Sequence, residues 1–351
     1  MHGRPNSGRP VGTGCINKNS CMGRFMSEMI ALENLSKRFG DLVAVDRISM
    51  SVGRGEVLGF LGPNGAGKST TMKMIAGFLE PSEGTATVGG FDVVDSPVEV
   101  KRRIGYLPEG APTYGDMTPR GFLRFISEIR GFDGADRGKR IDEVVEKVIL
   151  GEVLDQPIDT LSKGFKRRVG FAQAILHDPD VLILDEPTDG LDPNQKHEVR
   201  NLIKRMGEKK VIIFSTHILE EVEAACTRAI IVDQGKIVAN GTPNELKAQA
   251  ELAGSVLVRV SGGSKEAVSQ KLGAVTGAAT IKILESDGDR VVARALPGSE
   301  SKNGELARGI ADTVFKEGWK MEELHTEPGR LDDVFRSITR PDTAAARKEA
   351  K

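Results

Sequence analysis

The sequence has little of what would place it in several large classes of protein. Its three cysteines, Cys15, Cys21 and Cys226, are too few and too scattered for a disulfide framework or a zinc site. The expected compartment is therefore reducing, hence cytosolic. Aromatic residues make up only 5% of the chain, which argues against a stacking platform for single-stranded nucleic acid. No apolar run approaches the ~18 residues that a membrane-spanning helix needs, so no such helix is expected. Lys+Arg 49 against Asp+Glu 50 leaves a formal net charge of -1. Without a global basic field, nucleic acid is not an expected partner.

What is present suffices for packed cores. The 351 residues are 39% hydrophobic and 28% charged, with a mean hydropathy of -0.25. At ~150 residues per domain the length suggests two domains and room for a small third. Residues 1–25 read as a disordered tail or a start-site artefact: they carry Arg4, Arg9, Lys18 and Arg24 but no apolar stretch of the kind a secretory signal requires. Residues 28–245 alternate short apolar runs with helical patterns. Val57–Leu61, Val181–Leu184 and Val211–Phe214 are continuous apolar runs, which suits strands of a parallel sheet buried on both faces. Between them, at about 111–175, lies a helix-rich insert. Thr118-Pro119 opens one helix, with Phe122, Phe125, Ile126 and Ile129 on one face. Ile141, Val144, Val145, Val148 and Ile149 mark a second. From 246 to 340 the order strand, helix, strand, strand, helix, strand predicts a ferredoxin-like module, with a hairpin at Asp287-Gly288 and a closing helix at Leu331–Ser337. Residues 341–351 read as a disordered polar tail.

The chemistry is concentrated in Gly62-Pro63-Asn64-Gly65-Ala66-Gly67-Lys68-Ser69-Thr70, which fits G-x-x-x-x-G-K-[ST]. It follows a predicted strand and precedes a predicted helix. Glycines allow backbone N–H groups to converge on phosphate oxygens, and the helix adds its N-terminal partial positive charge. Lys68 can bridge the β- and γ-phosphates, and the Ser69 hydroxyl can ligate Mg2+. The apolar run Val181–Leu184 ends in Asp185-Glu186. Asp185 suits a hard cation, and Glu186 can take a proton from an attacking water. His177, His197 and His325 share no metal-ligand spacing, and Cys226 reads as a buried small hydrophobe.

Further motifs make the pattern specific. Leu161-Ser162-Lys163-Gly164-Phe165 precedes the Asp185-Glu186 strand, Thr188-Asp189-Gly190-Leu191-Asp192 follows it, and Ser215-Thr216-His217 ends the next. The region from about 28 to 245 resembles the nucleotide-binding subunits of ATP-binding cassette (ABC) transporters. More narrowly, the stretch from LSKGF to LDPNQ resembles ATPases of ABC-2-type exporters, in the gliding-motility and multidrug-export manner. That resemblance implies an α/β P-loop NTPase cassette with a RecA-like core, an antiparallel β-subdomain and a helical subdomain, followed by the small C-terminal α+β ferredoxin-like domain. It implies ATP and Mg2+ as cofactors. It assigns Phe39 to the adenine, and Gly62, Pro63, Asn64, Gly65, Ala66, Gly67, Lys68, Ser69 and Thr70 to the phosphates. It assigns Ser69, Asp185 and Glu109 to the metal and its waters, and Glu186, His217 and Lys68 to catalysis. Ser162, Gly164 and Asp192 would meet the ATP of a second cassette in a homodimer. Lys163 and Phe165 depart from the family's LSGGQ, and Glu109 stands where the family carries glutamine. The implied partner is a permease on a separate chain, which would hold the cassette at the cytoplasmic face of the membrane, docked on the helical insert. The alternative is a soluble non-transport ABC ATPase acting as an assembly or regulatory switch.

Overall fold

The computed structural model describes residues 28–111, 113–298 and 304–339; the tails expected at 1–25 and 341–351 lie outside the described residues. The chain opens with two long antiparallel strands, β1 (Glu28–Phe39) and β2 (Leu42–Gly53), then β3 (Val57–Leu61) and the helix Lys68–Ile75. β4 (Glu83–Val88), β5 (Phe91–Asp92), the helix Pro97–Arg103 and β6 (Ile104–Leu107) follow. Helices Pro119–Ile129, Gly134–Lys147 and Lys163–Ile175 form the insert. Next come β7 (Val181–Asp185), helix Pro193–Gly207, β8 (Val211–Thr216), helix Leu219–Ala225, β9 (Arg228–Asp233) and β10 (Lys236–Gly241). After the short helix Pro243–Lys247 lie β11 (Val256–Ser261), helix Lys265–Gly273, β12 (Ala278–Asp287), β13 (Arg290–Pro297), helix Glu305–Lys316, β14 (Lys320–Thr326) and helix Leu331–Ile338.

The strands make three sheets. The central one has the order β10-β9-β3-β8-β7-β6. Its strands run parallel except β10, which is antiparallel to β9. Every residue of β3, β7 and β8 is buried, as continuous apolar runs in a doubly covered parallel sheet require. An antiparallel sheet, β2-β1-β4-β5, stands beside it. The third sheet, β12-β13-β11-β14, is antiparallel throughout. With its two helices it has the β-α-β-β-α-β order of a ferredoxin-like unit, and its core is Val256, Val258, Val260, Leu272, Ile310 and neighbours.

Local chemistry explains where elements begin. Thr118 Oγ1 accepts from the Gly121 N–H, with Pro119 in the first turn. Thr242 and Glu245 form a reciprocal capping box. Two expected helix stripes are shorter than their periodicity suggests. Ile129 is 65% exposed and Ile149 is 51% exposed; Ile149 lies beyond its helix end with φ 56. The buried residues of the first helix are instead Phe122, Leu123 and Ser127 with Pro119. Leu331, Phe335 and Ile338 of the closing helix share one apolar cluster with Leu61, Leu219, Val222 and Leu246. That helix packs beside the short helix Pro243–Lys247. Cys226 packs against this layer, and burial pushes its thiol far above the ordinary range.

His177 reports on the insert's junction with the sheet. Its Nε2 donates to the Ile104 carbonyl at 3.1 Å. Burial, reinforced by nearby Arg130, lowers its pKa from 6.5 to about 4. Unfolded chains therefore take up a proton at higher pH than the folded protein, and stability falls as pH drops from about 6.5 towards 4. The variant His177→Gln keeps an amide donor and removes the titration. Thermal midpoints measured across that range should fall less steeply for the variant than for the parent; equal slopes would contradict the account.

Candidate functional site

The end of β3 leads into the glycine loop, and the loop's course is fixed by crowding. A Cβ on Gly62 would lie 2.4 Å from the Val232 carbonyl oxygen, and one on Gly67 would lie 2.5 Å from that of Ala44. Gly67 also has φ 104, a conformation only glycine adopts freely. The first N–H groups of the helix Lys68–Ile75 have no acceptors within the helix, so this turn offers a ready-made anion cradle. Lys68 Nζ donates to the carbonyls of Gly62 at 2.7 Å and Pro63 at 3.2 Å. Ala66 is buried, and its carbonyl accepts from the Gly235 N–H at 2.9 Å. That bond ties the loop to the turn between β9 and β10.

Around the loop lies a cleft of about 430 Å³, lined by Phe39, Leu42, Val43, Ala44, Asn64, Gly65, Gly67, Lys68, Ser69, Thr70, Glu109, Glu186 and Gln234. Phe39 is 49% exposed, which excludes a core role and leaves a ring face at the mouth. Lys37 Nζ sits 5.4 Å from its centroid. Leu42, Val43, Ala44 and Gln234 were not anticipated from the sequence. Gln234 has φ 49 in the turn stitched to the loop, and no sequence motif marks it.

Asp185 closes the floor. Parallel pairing sets Asp185 beside Ser215 and Leu61 beside Thr216, so the carboxyl ends of β3, β7 and β8 converge. Asp185 is fully buried. Its Oδ1 accepts from Ser69 Oγ at 3.2 Å and from Ser215 Oγ, while its Oδ2 has no hydrogen-bond partner among the described residues. A bare carboxylate oxygen next to a hydroxyl suits a hard cation. No cluster of three His, Cys, Asp or Glu able to hold a metal occurs among the described residues.

Glu186 stands at the edge with φ 51, a left-handed conformation unusual for a side chain of its kind. Its N–H donates to Ser215 Oγ at 3.0 Å, and its carboxylate lies 3.1 Å from His217 Nδ1. Burial raises the Glu186 pKa above its ordinary value, partly offset by His217 and Lys68. The guanidinium of Arg167 spans three carbonyls, those of Pro108, Asp185 and Glu186. It joins the Lys163–Ile175 helix to the Glu109 loop and to the end of β7. Arg167 lies in a basic run, Lys166-Arg167-Arg168, and no motif spacing singles it out.

Of the expected site residues, Gly62, Pro63, Ala66, Asp185 and His217 adjoin the cleft without lining it, and three more, Ser162, Gly164 and Asp192, are also absent from its lining. Ser162 caps its helix by accepting from the Phe165 N–H, and Asp192 caps the next by accepting from the Gln195 N–H. Both are exposed, and neither lines the cleft. Gly164 is buried, and a Cβ there would lie 2.6 Å from Gln195 Oε1.

Comparison with known proteins identifies the family. The family profile described as ABC transporter matches residues 45–189. The chain is 41% identical over 223 residues to the probable multidrug ABC transporter ATP-binding protein YbhF of Escherichia coli, a match covering 63% of this chain and 38% of that protein. It is 39% identical over 224 residues to the ABC transporter ATP-binding protein NatA of Bacillus subtilis, covering 62% of this chain and 91% of that one. A solved ATP-binding subunit of an ABC transporter superposes with a TM-score of 0.59 at 31% identity, covering 63% of this chain and 92% of that chain. The chain spans well under half of YbhF but most of NatA. With the glycine loop, the buried Asp185 and the paired Glu186 and His217 arranged as above, it belongs to the family of ABC transporter ATP-binding proteins.

Proposed function

We propose that the chain binds ATP in the cleft beside the glycine loop and hydrolyses it, as one half of a head-to-tail homodimer of cassettes that powers an ABC-2-type exporter. The observation that carries this reading is the pairing of Glu186 with His217 at 3.1 Å, directly beside the buried Asp185. Phe39 offers its face to the adenine, and the loop amides with Lys68 take the phosphates. Ser69 and Asp185, with Glu109 through water, would hold Mg2+, whose chemistry when bound is neutralisation of phosphate charge.

In this reading Glu186 accepts a proton from water as the water oxygen bonds to the γ-phosphorus. The bond to the bridging oxygen breaks, leaving ADP and phosphate. His217 orients both the carboxylate and the water. Burial of Glu186 makes its carboxylate a stronger base than an exposed one. The exposed positions of Ser162 and Asp192, away from the chain's own cleft, support a site completed by a second copy. No helix of the described residues is long and apolar enough to cross a membrane; in this reading the transport path lies in a permease, for which the transporter subunits among the relatives speak. The permease would hold this subunit at the cytoplasmic face, docked on the helical insert. The resemblance of LSKGF to the ABC-2 subgroup supports that class, and the multidrug relative supports export.

Glu186→Gln should retain ATP binding but lose hydrolysis by about 10²–10⁴-fold, and should remain dimeric in ATP. Hydrolysis at the parent rate in a phosphate-release assay would overturn the assignment. Because the Glu186 pKa is raised, the acid limb of the parent's turnover profile should lie above the ordinary carboxylate range, with activity lost as pH falls. A rate unchanged down to the ordinary carboxylate range would count against Glu186 as base.

A further inference from the structure

The helix Leu219–Ala225 turns one carboxylate inward. Glu221 is 1% exposed. One of its oxygens accepts from Thr188 Oγ1 and the other from Thr216 Oγ1, the latter at 2.7 Å. Both threonines are buried. No salt bridge to Glu221 occurs among the described residues. A carboxylate taken from water and met by two hydroxyls is costly, and an apolar side chain would fill a helix–sheet contact at less cost.

What the carboxylate joins is informative. Thr188 lies two residues after Glu186, and Thr216 immediately precedes His217. The two hydroxyls therefore flank, in the chain, the two groups whose side chains meet at 3.1 Å. Thr216 Oγ1 also accepts from the Ile218 N–H at 3.0 Å, which fixes the turn that carries His217. The Glu186 backbone is held in its unusual φ from the other side, by Ser215 Oγ and by Arg167. Glu221 supplies a further tie, through Thr188 and Thr216.

We infer that Glu221 is a positioning residue for hydrolysis: its carboxylate sets the separation of the Glu186 and His217 loops. This rests on the hydrolytic reading above. It acts through His217 and Glu186 and touches neither the nucleotide nor the water.

The test is a double-mutant cycle on the full chain, read as kcat and KM for ATP. Glu221→Leu removes both ties and should lower kcat by about 10- to 100-fold, with KM for ATP within about twofold. Glu221→Gln should stay within about threefold of the parent, because its amide can donate to Thr188 Oγ1 while its oxygen accepts from Thr216. In a His217→Ala background, Glu221→Leu should give little further loss, since the residue works through that histidine. Thr188→Val keeps shape and cuts one tie. It should lower kcat in the same direction, and it tests the idea even where Glu221→Leu fails to fold. Equal fractional losses with and without His217, or an unchanged kcat in Thr188→Val, would overturn the inference while leaving the hydrolytic reading intact. A folded, ATP-binding parent that releases no phosphate would overturn both.

Discussion

Everything in the cleft depends on the parallel register of three strands. β3, β8 and β7 lie side by side with their carboxyl ends level, so Leu61, Thr216 and Asp185 finish at one edge of the sheet. From that edge the chain leaves in three directions. After β3 it forms the glycine loop, after β7 it carries Glu186 and Thr188, and after β8 it carries His217 and then Glu221. A polar cluster can survive here because its members satisfy one another: Ser69 and Ser215 both donate to one oxygen of Asp185. A shift of register by one residue would turn these side chains to the opposite face of the sheet, and the cluster would be lost.

Parts of this arrangement were legible in the residues, for identifiable reasons. Glycine spacing reports backbone crowding, and the clashes at Gly62 and Gly67 are its physical content. Fully apolar runs report double burial, and β3, β7 and β8 are buried throughout. The strand–helix alternation of the C-terminal part coincides with its third sheet, because alternating and 3.6-residue periods differ clearly there. Periodicity overreached at Ile129 and Ile149, both at helix ends where the packing partner runs out. Composition gave no hint of Arg167, Glu221 or Gln234. Two of them work through long-range contacts, Arg167 across 59 residues to Pro108 and Glu221 across 33 to Thr188. No local motif encodes such a partner.

The closing helix adds to the apolar layer beneath this edge. Leu331, Phe335 and Ile338 belong to one cluster with Leu61, Leu219, Val222 and Leu246. Leu61 directly precedes the glycine loop, and Leu219 and Val222 share a helix with Glu221. The helix after β8 thus contributes Leu219 and Val222 to an apolar layer and Glu221 to a hydrogen-bonded one, an arrangement that suits preorganised charge placement.

The central claim is that the cleft of one copy is completed by the exposed Ser162 region of another. It is tested most directly by mixing two inactive full-length variants, Lys68→Ala and Ser162→Arg. In a head-to-tail pair, a mixed dimer holds one site built from an intact cleft and an intact Ser162 segment. A 1:1 mixture that exchanges freely should then recover about a quarter of the parent's phosphate release, as random two-fold pairing gives. A mixture no more active than the variants alone, with exchange verified, would contradict the account.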